Sequence, residues 1–201
     1  MSTLKTTNIT HPSATSNNIV LASDGSTTIS SLTATTIQGT IKSGTAQAST
    51  SGTSIDFTGI PSWVKRITVM FQGVSTNGSS QVIIRLGTSS GFVSTAGAYL
   101  GSADDAAAAI SPNSMSTGFT FEDTSEVSTL VRHGLATLCN LSGNNWVYSF
   151  IGGRSDAAGL LFGGGSISAA SLGGTLDRIR ITTVNGTDTF DAGSINILYE
   201  G

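Results

Sequence analysis

The chain has 201 residues, among them 31 Ser, 29 Thr and 25 Gly, whereas charged residues make up 10% and the formal net charge is −3. In soluble domains about a quarter of all residues are normally charged. Hydroxyl groups and backbone amides must therefore supply most of the polarity here, as is typical of all-β proteins that assemble. The nine basic residues are scattered from Lys5 to Arg180, which argues against binding to nucleic acid because no cationic stripe is available for a phosphate backbone.

Residues 1–48 are predicted to form an extended arm. They contain no aromatic residue, and their short apolar islands are separated by turn-forming stretches such as SDGST. Ordering a backbone costs about 1 kcal/mol or more per residue, which such islands cannot offset within one chain. Either the arm is a disordered tail, which composition slightly favours, or other copies or a partner protein order it. In the second case the arm would serve attachment and trimerisation through Ile9, Ile19, Val20, Leu21, Ile29, Leu32, Ile37 and Ile41.

Residues 49–201 contain every aromatic side chain and are predicted to form a β-rich head. Apolar residues recur at every second position, which is the period of half-buried strands. The residues predicted to face inward are Ile67, Val69, Phe71, Val82, Ile84, Leu86, Phe119, Phe121, Trp146, Tyr148, Phe150, Ile179, Ile181, Ile195, Ile197 and Tyr199. Turn signals separate these runs at 76–80, 87–91, 141–145, 184–188 and 191–193. The fold class is therefore all-β, with the arm followed by a jelly-roll-like antiparallel β-sandwich; the segment 103–110 could be a helix or a loop.

Residues capable of nucleophilic catalysis are few. His133 is the one histidine in the head, and a lone histidine specifies little, so a structural or surface role is favoured over catalysis. The one cysteine, Cys139, excludes an intrachain disulfide. It has the same strand parity as Leu135 and Leu141, which favours a small buried apolar residue over a reactive thiol.

The acidic residues offer two weak hypotheses. Asp188 and Asp191 could hold a calcium ion, but their spacing matches no known calcium loop, and turn aspartates that form hydrogen bonds are favoured. The adjacent Asp104 and Asp105 could belong to a glycosidase pair, which requires a second carboxylate across a cleft. The glycine-rich stretches IGGRSDAAG and LFGGGSIS lack the features of a phosphate loop and are predicted to be loops. We expect no catalytic residues, no metal and no cofactor.

The N-terminal residues lack the basic and apolar regions of a secretion signal, and no run approaches the roughly 18 apolar residues of a membrane span. We therefore expect synthesis in the cytoplasm without a signal peptide and no membrane insertion.

Three stretches resemble structural proteins of tailed bacteriophages, particularly fibre-like proteins. They are MSTLKTTNITHPSATSNNIVLASDGSTTI at the start, TSGTSIDFTGIPSWVKRITVMFQGVST at the arm–head junction, and VNGTDTFDAGSINILYEG at the end. The resemblance implies a virion protein of tail-fibre type. It also implies a homotrimer whose N-terminal part docks on other virion proteins and whose C-terminal head meets the host surface.

The head could contact a host glycan or an outer-membrane protein. Adaptable contacts are expected in the stretches 87–116 and 152–175. Tyr99 and Phe162 are the aromatic candidates for glycan contact, although core burial is favoured for both; the receptor-binding residues stay unknown. Another class is a trimeric capsid decoration or head-fibre protein, which copy number per virion would distinguish. A polysaccharide depolymerase is disfavoured because no parallel β-helix repeat is present.

Overall fold

The computed structural model describes residues 8–9, 19–21, 27–29, 41–105, 113–122 and 128–201, with side chains for 41–104, 114–122 and 128–201. The chain divides into two compact units, residues 1–38 and residues 39–201.

Three short strands of the first unit form an antiparallel sheet: β1 (Asn8–Ile9), β2 (Ile19–Leu21) and β3 (Thr27–Ile29). The register places Ile9 opposite Ile19, and Ile19 opposite Ile29. Of the predicted arm contacts, Leu32 and Ile37 lie outside the described residues. The role of the arm in trimerisation stays a prediction.

The second unit contains fourteen described strands and one short helix. In chain order they are β4 (Ile41–Ser43), β5 (Gln47–Ala48), β6 (Ser54–Thr58), β7 (Arg66–Thr76), β8 (Val82–Thr88), β9 (Gly91–Phe92), β10 (Tyr99–Asp105), β11 (Asn113–Ser114), β12 (Phe119–Thr120), β13 (Arg132–Ser142), β14 (Asn145–Arg154), β15 (Leu160–Ile167), α1 (Ala169–Leu172), β16 (Arg178–Thr183) and β17 (Phe190–Glu200).

The strands of this unit form two antiparallel sheets. The nine-stranded sheet has the order β11-β10-β15-β14-β13-β7-β17-β4, with β5 also paired to β17. The five-stranded sheet has the order β12-β8-β16-β6, with β9 paired to β8. The all-β antiparallel fold class is confirmed, and the two-sheet arrangement is sandwich-like. The jelly-roll connectivity stays a prediction.

The core lies between the two sheets and contains the residues that the two-residue period predicts. Every residue predicted to face inward is buried except Tyr199, which is partly buried and packs against Trp63 with ring centroids 6.0 Å apart. At the centre, Phe119 stacks on Tyr148 and Phe121 stacks on Phe150, at centroid distances of 4.5 and 4.0 Å. These stacks join the β12 segment of one sheet to β14 of the other.

The glycine-rich stretches are loop only in part: residues 151–154 belong to β14 and 161–167 to β15, whereas 155–159 form the predicted loop between them. Gly163 and Gly165 belong to β15 and lie opposite Phe150 and Tyr148 in the ladder with β14. A Cβ at Gly165 would lie 2.5 Å from the Leu100 carbonyl oxygen. Glycine is thus needed here for close approach of neighbouring strands under the aromatic stacks, which a composition-based loop assignment overlooks.

Several predicted boundaries differ in the structure. Residues 41–48, assigned to the arm from sequence, supply β4 and β5, which pair with β17; the side chain of Ile41 is exposed there. Residues 103–105 lie in strand β10 and not in a helix. The predicted turn at 191–193 is an irregularity within β17, because Gly193 adopts φ 92° and the register with β7 shifts on both sides of Ala192.

Candidate functional site

The outward surface of the nine-stranded sheet carries a row of apolar side chains. Directly paired positions on β7, β13, β14 and β15 place Met70, Leu135, Ile151 and Phe162 in one line across four strands. Leu135, Ile151 and Phe162 are 47%, 70% and 39% exposed. Further exposed apolar side chains flank this row. We call the set the outer apolar face, comprising Leu100, Leu135, Val147, Ile151, Leu160 and Phe162.

The outer apolar face carries almost no charge. Between its apolar residues, the outward positions of β13, β14 and β15 are held by Thr137, Cys139, Ser149, Gly164 and Ser166, as the ladder registers show. On the neighbouring β7 and β17, the paired positions Arg66 and Glu200 form an ion pair of 3.6 Å. The surface therefore offers area and small polar groups rather than an electrostatic pattern.

The dimensions of this face match those of an interaction surface. The residues of this face lie on the four strands β10, β15, β14 and β13. Four strands at about 4.8 Å spacing give a width of about 19 Å, and six residues along a strand give about 20 Å. The projected area is roughly 400 Å², within the range of apolar patches that mark interaction sites on monomers.

His133 lies beside a serine, but its hydrogen bonds have the wrong polarity for a nucleophile–base pair. The Gly73 N–H donates to His133 Nδ1 at 3.2 Å, so the ring proton lies on Nε2, which is 3.0 Å from Ser155 Oγ. A general base must accept the serine proton at this nitrogen, while its other nitrogen donates to a carboxylate. The geometry supports a structural cross-strand contact.

Asp188 and Asp191 accept hydrogen bonds from other segments of the chain. Asp188 accepts from the Ser80 N–H at 2.9 Å and from Asn185 Nδ2 at 2.7 Å, while Asp191 accepts from the Ser75 hydroxyl group. No group of three or more metal-ligating side chains occurs within the described residues. The contact of Asp188 with Asn185 fits the predicted turn role, whereas Asp191 lies in β17 and accepts its bond from β7.

Asp104 lies on β10 at the margin of the outer apolar face, directly opposite Phe162. It is 1% exposed, and among the described residues neither carboxylate oxygen has a hydrogen-bond partner. The side chain of Asp105 lies outside the described residues. The paired-acid hypothesis therefore stays a prediction.

A cavity of about 380 Å³ opens between β6 and the segment that joins β4 to β5. Among its lining residues, Asp56 carries the one carboxylate, and Arg180 engages both of its oxygens at 2.8 and 2.7 Å. A second acid for general acid–base chemistry is not part of this lining.

The remaining sequence candidates separate into core and surface. Tyr99 is buried, and its hydroxyl accepts from the Leu86 N–H at 2.8 Å and donates to the Val93 carbonyl at 3.1 Å. Phe162, in contrast, is exposed. The predicted burial of Phe162 and Cys139 is wrong, because both lie on the outward side of their strands, and Cys139 is only partly buried.

A comparison with known protein families, curated proteins and solved structures gives no match. No helix within the described residues is long and apolar enough to cross a membrane.

Sequence reasoning missed the outer apolar face because it assigned only one inward face per strand. The available signal was apolar character at both parities: β14 alternates Trp146, Tyr148 and Phe150 with Val147 and Ile151. A strand that is apolar on both sides is buried on both sides or exposes an apolar surface.

Proposed function

We propose that the protein is a non-enzymatic structural component of a tailed-bacteriophage particle, of tail-fibre type. In this proposal the arm docks on other virion proteins and takes part in a homotrimer, the outer apolar face of the head adds a further contact between the subunits, and the head contacts a glycan or outer-membrane protein of the host. The observation that carries the assembly role is the outer apolar face. The virion context comes from the sequence resemblance, and the lack of a nucleophile–base pair around His133 favours assembly over catalysis.

The occupant that best fits the outer apolar face is a second copy of the chain. Two copies with a net charge of −3 each repel weakly, and an uncharged contact surface avoids placing like charges against one another. The interspersed Ser, Thr and Gly positions permit close approach and hydrogen bonding across the contact. Identical subunits usually close by rotational symmetry, and a threefold arrangement agrees with the fibre-like resemblance.

Replacement of Ile151 by Asp tests the assembly role. A carboxylate at the centre of a buried apolar contact is strongly unfavourable, so we expect I151D to shift the trimer towards the monomer in size-exclusion chromatography with light scattering. Val184→Asp is the matched control, because Val184 is also an exposed apolar residue but lies outside this face. An unchanged mass for I151D, or an equal loss in V184D, contradicts the proposed interface.

Quantitative mass spectrometry of purified particles tests the virion role. Tens of copies or fewer per particle support a tail fibre, whereas hundreds support the alternative of a capsid decoration or head-fibre protein. Absence from purified particles contradicts both.

A further inference from the structure

The outward surface of the five-stranded sheet carries a cluster of three arginines. Strand pairing places Asp56, Arg180 and Arg85 in one row across β6, β16 and β8. Arg178 lies two residues before Arg180, on the same face of β16. Three of the nine basic residues of the chain are thus concentrated here.

Two of these arginines already have carboxylate partners. Arg180 binds both oxygens of Asp56, and Arg178 binds both oxygens of Asp177 at 2.7 and 3.2 Å. Within the described residues, Arg85 forms no ion pair; its Nε donates to the Thr117 carbonyl oxygen at 3.0 Å. In the part of the chain that the structure describes, the cluster therefore contains one guanidinium group without a carboxylate partner.

The position of Arg85 is electrostatically unfavourable in the free protein. It lies directly opposite Arg180, and like charges at paired positions of adjacent strands destabilise a sheet. Burial lowers the pKa of Arg85; the nearby Tyr99 opposes this shift, and the charge of Arg180 adds to it. A bound anion would supply the missing negative charge at this point.

An aromatic ring completes the cluster. Phe92 of β9 lies with its ring centroid 4.2 Å from the Arg180 guanidinium carbon and 5.9 Å from that of Arg178. Gly87, the strand partner of Phe92, makes this approach feasible, because a Cβ there would lie 2.8 Å from Arg178 Cγ. Phe92 remains partly exposed.

We propose that this cluster binds a sugar that carries a carboxylate. Arg85 pairs with the carboxylate through charge-assisted hydrogen bonds, and the exposed part of the Phe92 ring packs against the C–H groups of the sugar. A uronic acid combines both features, whereas a simple anion has only the first and a neutral sugar only the second. The inference rests on the proposed host contact and specifies its ligand as an acidic surface polysaccharide.

The probes are sodium glucuronate, glucose and inorganic phosphate, titrated into the full-length protein and followed by the backbone amide NMR signals of Arg85, Gly87 and Phe92. We expect saturable shifts with glucuronate, weaker binding of phosphate and no binding of glucose at the same concentrations. Equal affinity for glucose, phosphate binding as tight as that of glucuronate, or no shift at these residues overturns the inference.

Two variants and one control localise the binding. Arg85→Gln should weaken glucuronate binding about tenfold or more, the usual effect of losing a charge-assisted contact. Phe92→Leu should reduce the affinity for glucuronate towards that for phosphate. Lys65→Gln removes one exposed positive charge outside this cluster and should leave the affinity for glucuronate unchanged. Unchanged affinity in R85Q, or an equal loss in K65Q, contradicts the site.

The probe titration and F92L decide the question even if R85Q does not fold. The result is also separable from the proposed assembly. A trimer that does not bind glucuronate overturns only this inference, whereas glucuronate binding by a protein that forms no trimer overturns only the assembly proposal.

Discussion

Adjacent glycines in β15 have different structural requirements. A Cβ at Gly163 would lie 2.8 Å from the Thr120 carbonyl oxygen and 2.9 Å from Ala103 Cβ, whereas a Cβ at Gly164 would find its nearest neighbour, the Tyr148 carbonyl oxygen, at 3.8 Å. Gly163 points into the core below the aromatic stacks, and Gly164 points outward. Close packing therefore requires glycine at position 163 but not at position 164, where a larger residue would fit.

We expect Gly163→Ala to destabilise the head by about 1–3 kcal/mol, the usual cost of overpacking a core. Gly164→Ala, its matched control, should be neutral or slightly stabilising because it reduces the conformational entropy of the unfolded chain. The measurement is the free energy of unfolding in denaturant. Equal effects of the two substitutions contradict the close-packing argument.

Because two tyrosines are buried, we expect the free energy of unfolding to decrease at alkaline pH. Burial raises the pKa of Tyr99 and of Tyr148, and for Tyr148 the charge of Glu122 raises it further. Between the ordinary tyrosine pKa of about 10 and these raised values, the unfolded chain loses both protons while the native chain keeps them. The native state then binds more protons, so the free energy of unfolding falls as pH rises, by roughly 1.4 kcal/mol per pH unit for each tyrosine.

The variant Tyr148→Phe removes one of the two groups whose protonation differs between the native and the unfolded state. We expect the slope of unfolding free energy against pH above pH 10 to be smaller in this variant than in the unmodified protein by roughly 1.4 kcal/mol per unit. Between pH 7 and 9 the tyrosines contribute no slope in either protein, which serves as the internal control. Identical slopes above pH 10 contradict the burial of Tyr148 as a neutral group.

At the scale of elements, strands β4 and β5 extend the head beyond the junction predicted from sequence. Gly44 donates its N–H to the Ile197 carbonyl at 2.7 Å. The buried Ser49 that follows β5 donates its N–H to Gly193 and its hydroxyl to the Ala192 carbonyl, at 2.9 and 2.8 Å. These bonds cover the edge of β17, which would otherwise present unpaired backbone groups.

Two truncations test this boundary. Deletion of residues 1–38 should leave the unfolding free energy of the head unchanged, because every strand of the second unit is retained. Deletion of residues 1–49 should lower it by about 2 kcal/mol or more, since several hydrogen bonds worth about 1 kcal/mol each are lost. Both deletions remove the arm, so a difference between them reports only on residues 39–49. Equal stability places the functional boundary near residue 49, as the sequence predicts.

Sequence patterns predict the strands that are half buried and fail where pairing depends on distant residues. The two-residue period correctly identifies the inward faces of β7, β8, β14 and β16. It does not identify β4 and β5, which contain few apolar residues and are held by backbone bonds to β17 at the other end of the chain. It also misses the buried pair of Glu122 and Arg132, in which Arg132 Nη2 donates to Glu122 at 3.0 Å, because charged residues are normally expected at the surface.

The candidate sites could likewise be predicted only in part, because they depend on how distant strands pair. Alternation predicts which residues leave the core, but the outer apolar face becomes visible only when the register aligns Leu135, Ile151 and Phe162 from three strands. Likewise, the register of β8 with β16 brings Arg85 opposite Arg180, although 95 positions separate them in the chain. Both surfaces depend on strand order, which local sequence does not determine.

At the scale of the whole molecule, the outward surfaces of the two sheets differ in chemistry. The five-stranded sheet displays arginines, carboxylates and one aromatic ring. The nine-stranded sheet displays the outer apolar face, with the ion pair of Arg66 and Glu200 beside it on β7 and β17. An apolar surface gains most by being removed from water, and a charged cluster keeps its solvation when it remains exposed. Assembly through the nine-stranded sheet would therefore leave the arginine cluster accessible to a ligand.

This division predicts that the oligomer resists salt. Added NaCl screens interactions between charged groups and leaves apolar contacts intact. Among the described residues, the ion pairs at the edges of the outer apolar face are Arg66–Glu200 and Arg154–Asp156. We expect the dissociation constant, measured by sedimentation between 0.1 and 1 M NaCl, to change less than about threefold. Ammonium sulfate should tighten the association, because excluded salts favour burial of apolar surface. Arg66→Gln is the control and should behave like the unmodified protein. Weakening of tenfold or more in 1 M NaCl would mean that charged groups, and not the outer apolar face, hold the subunits together.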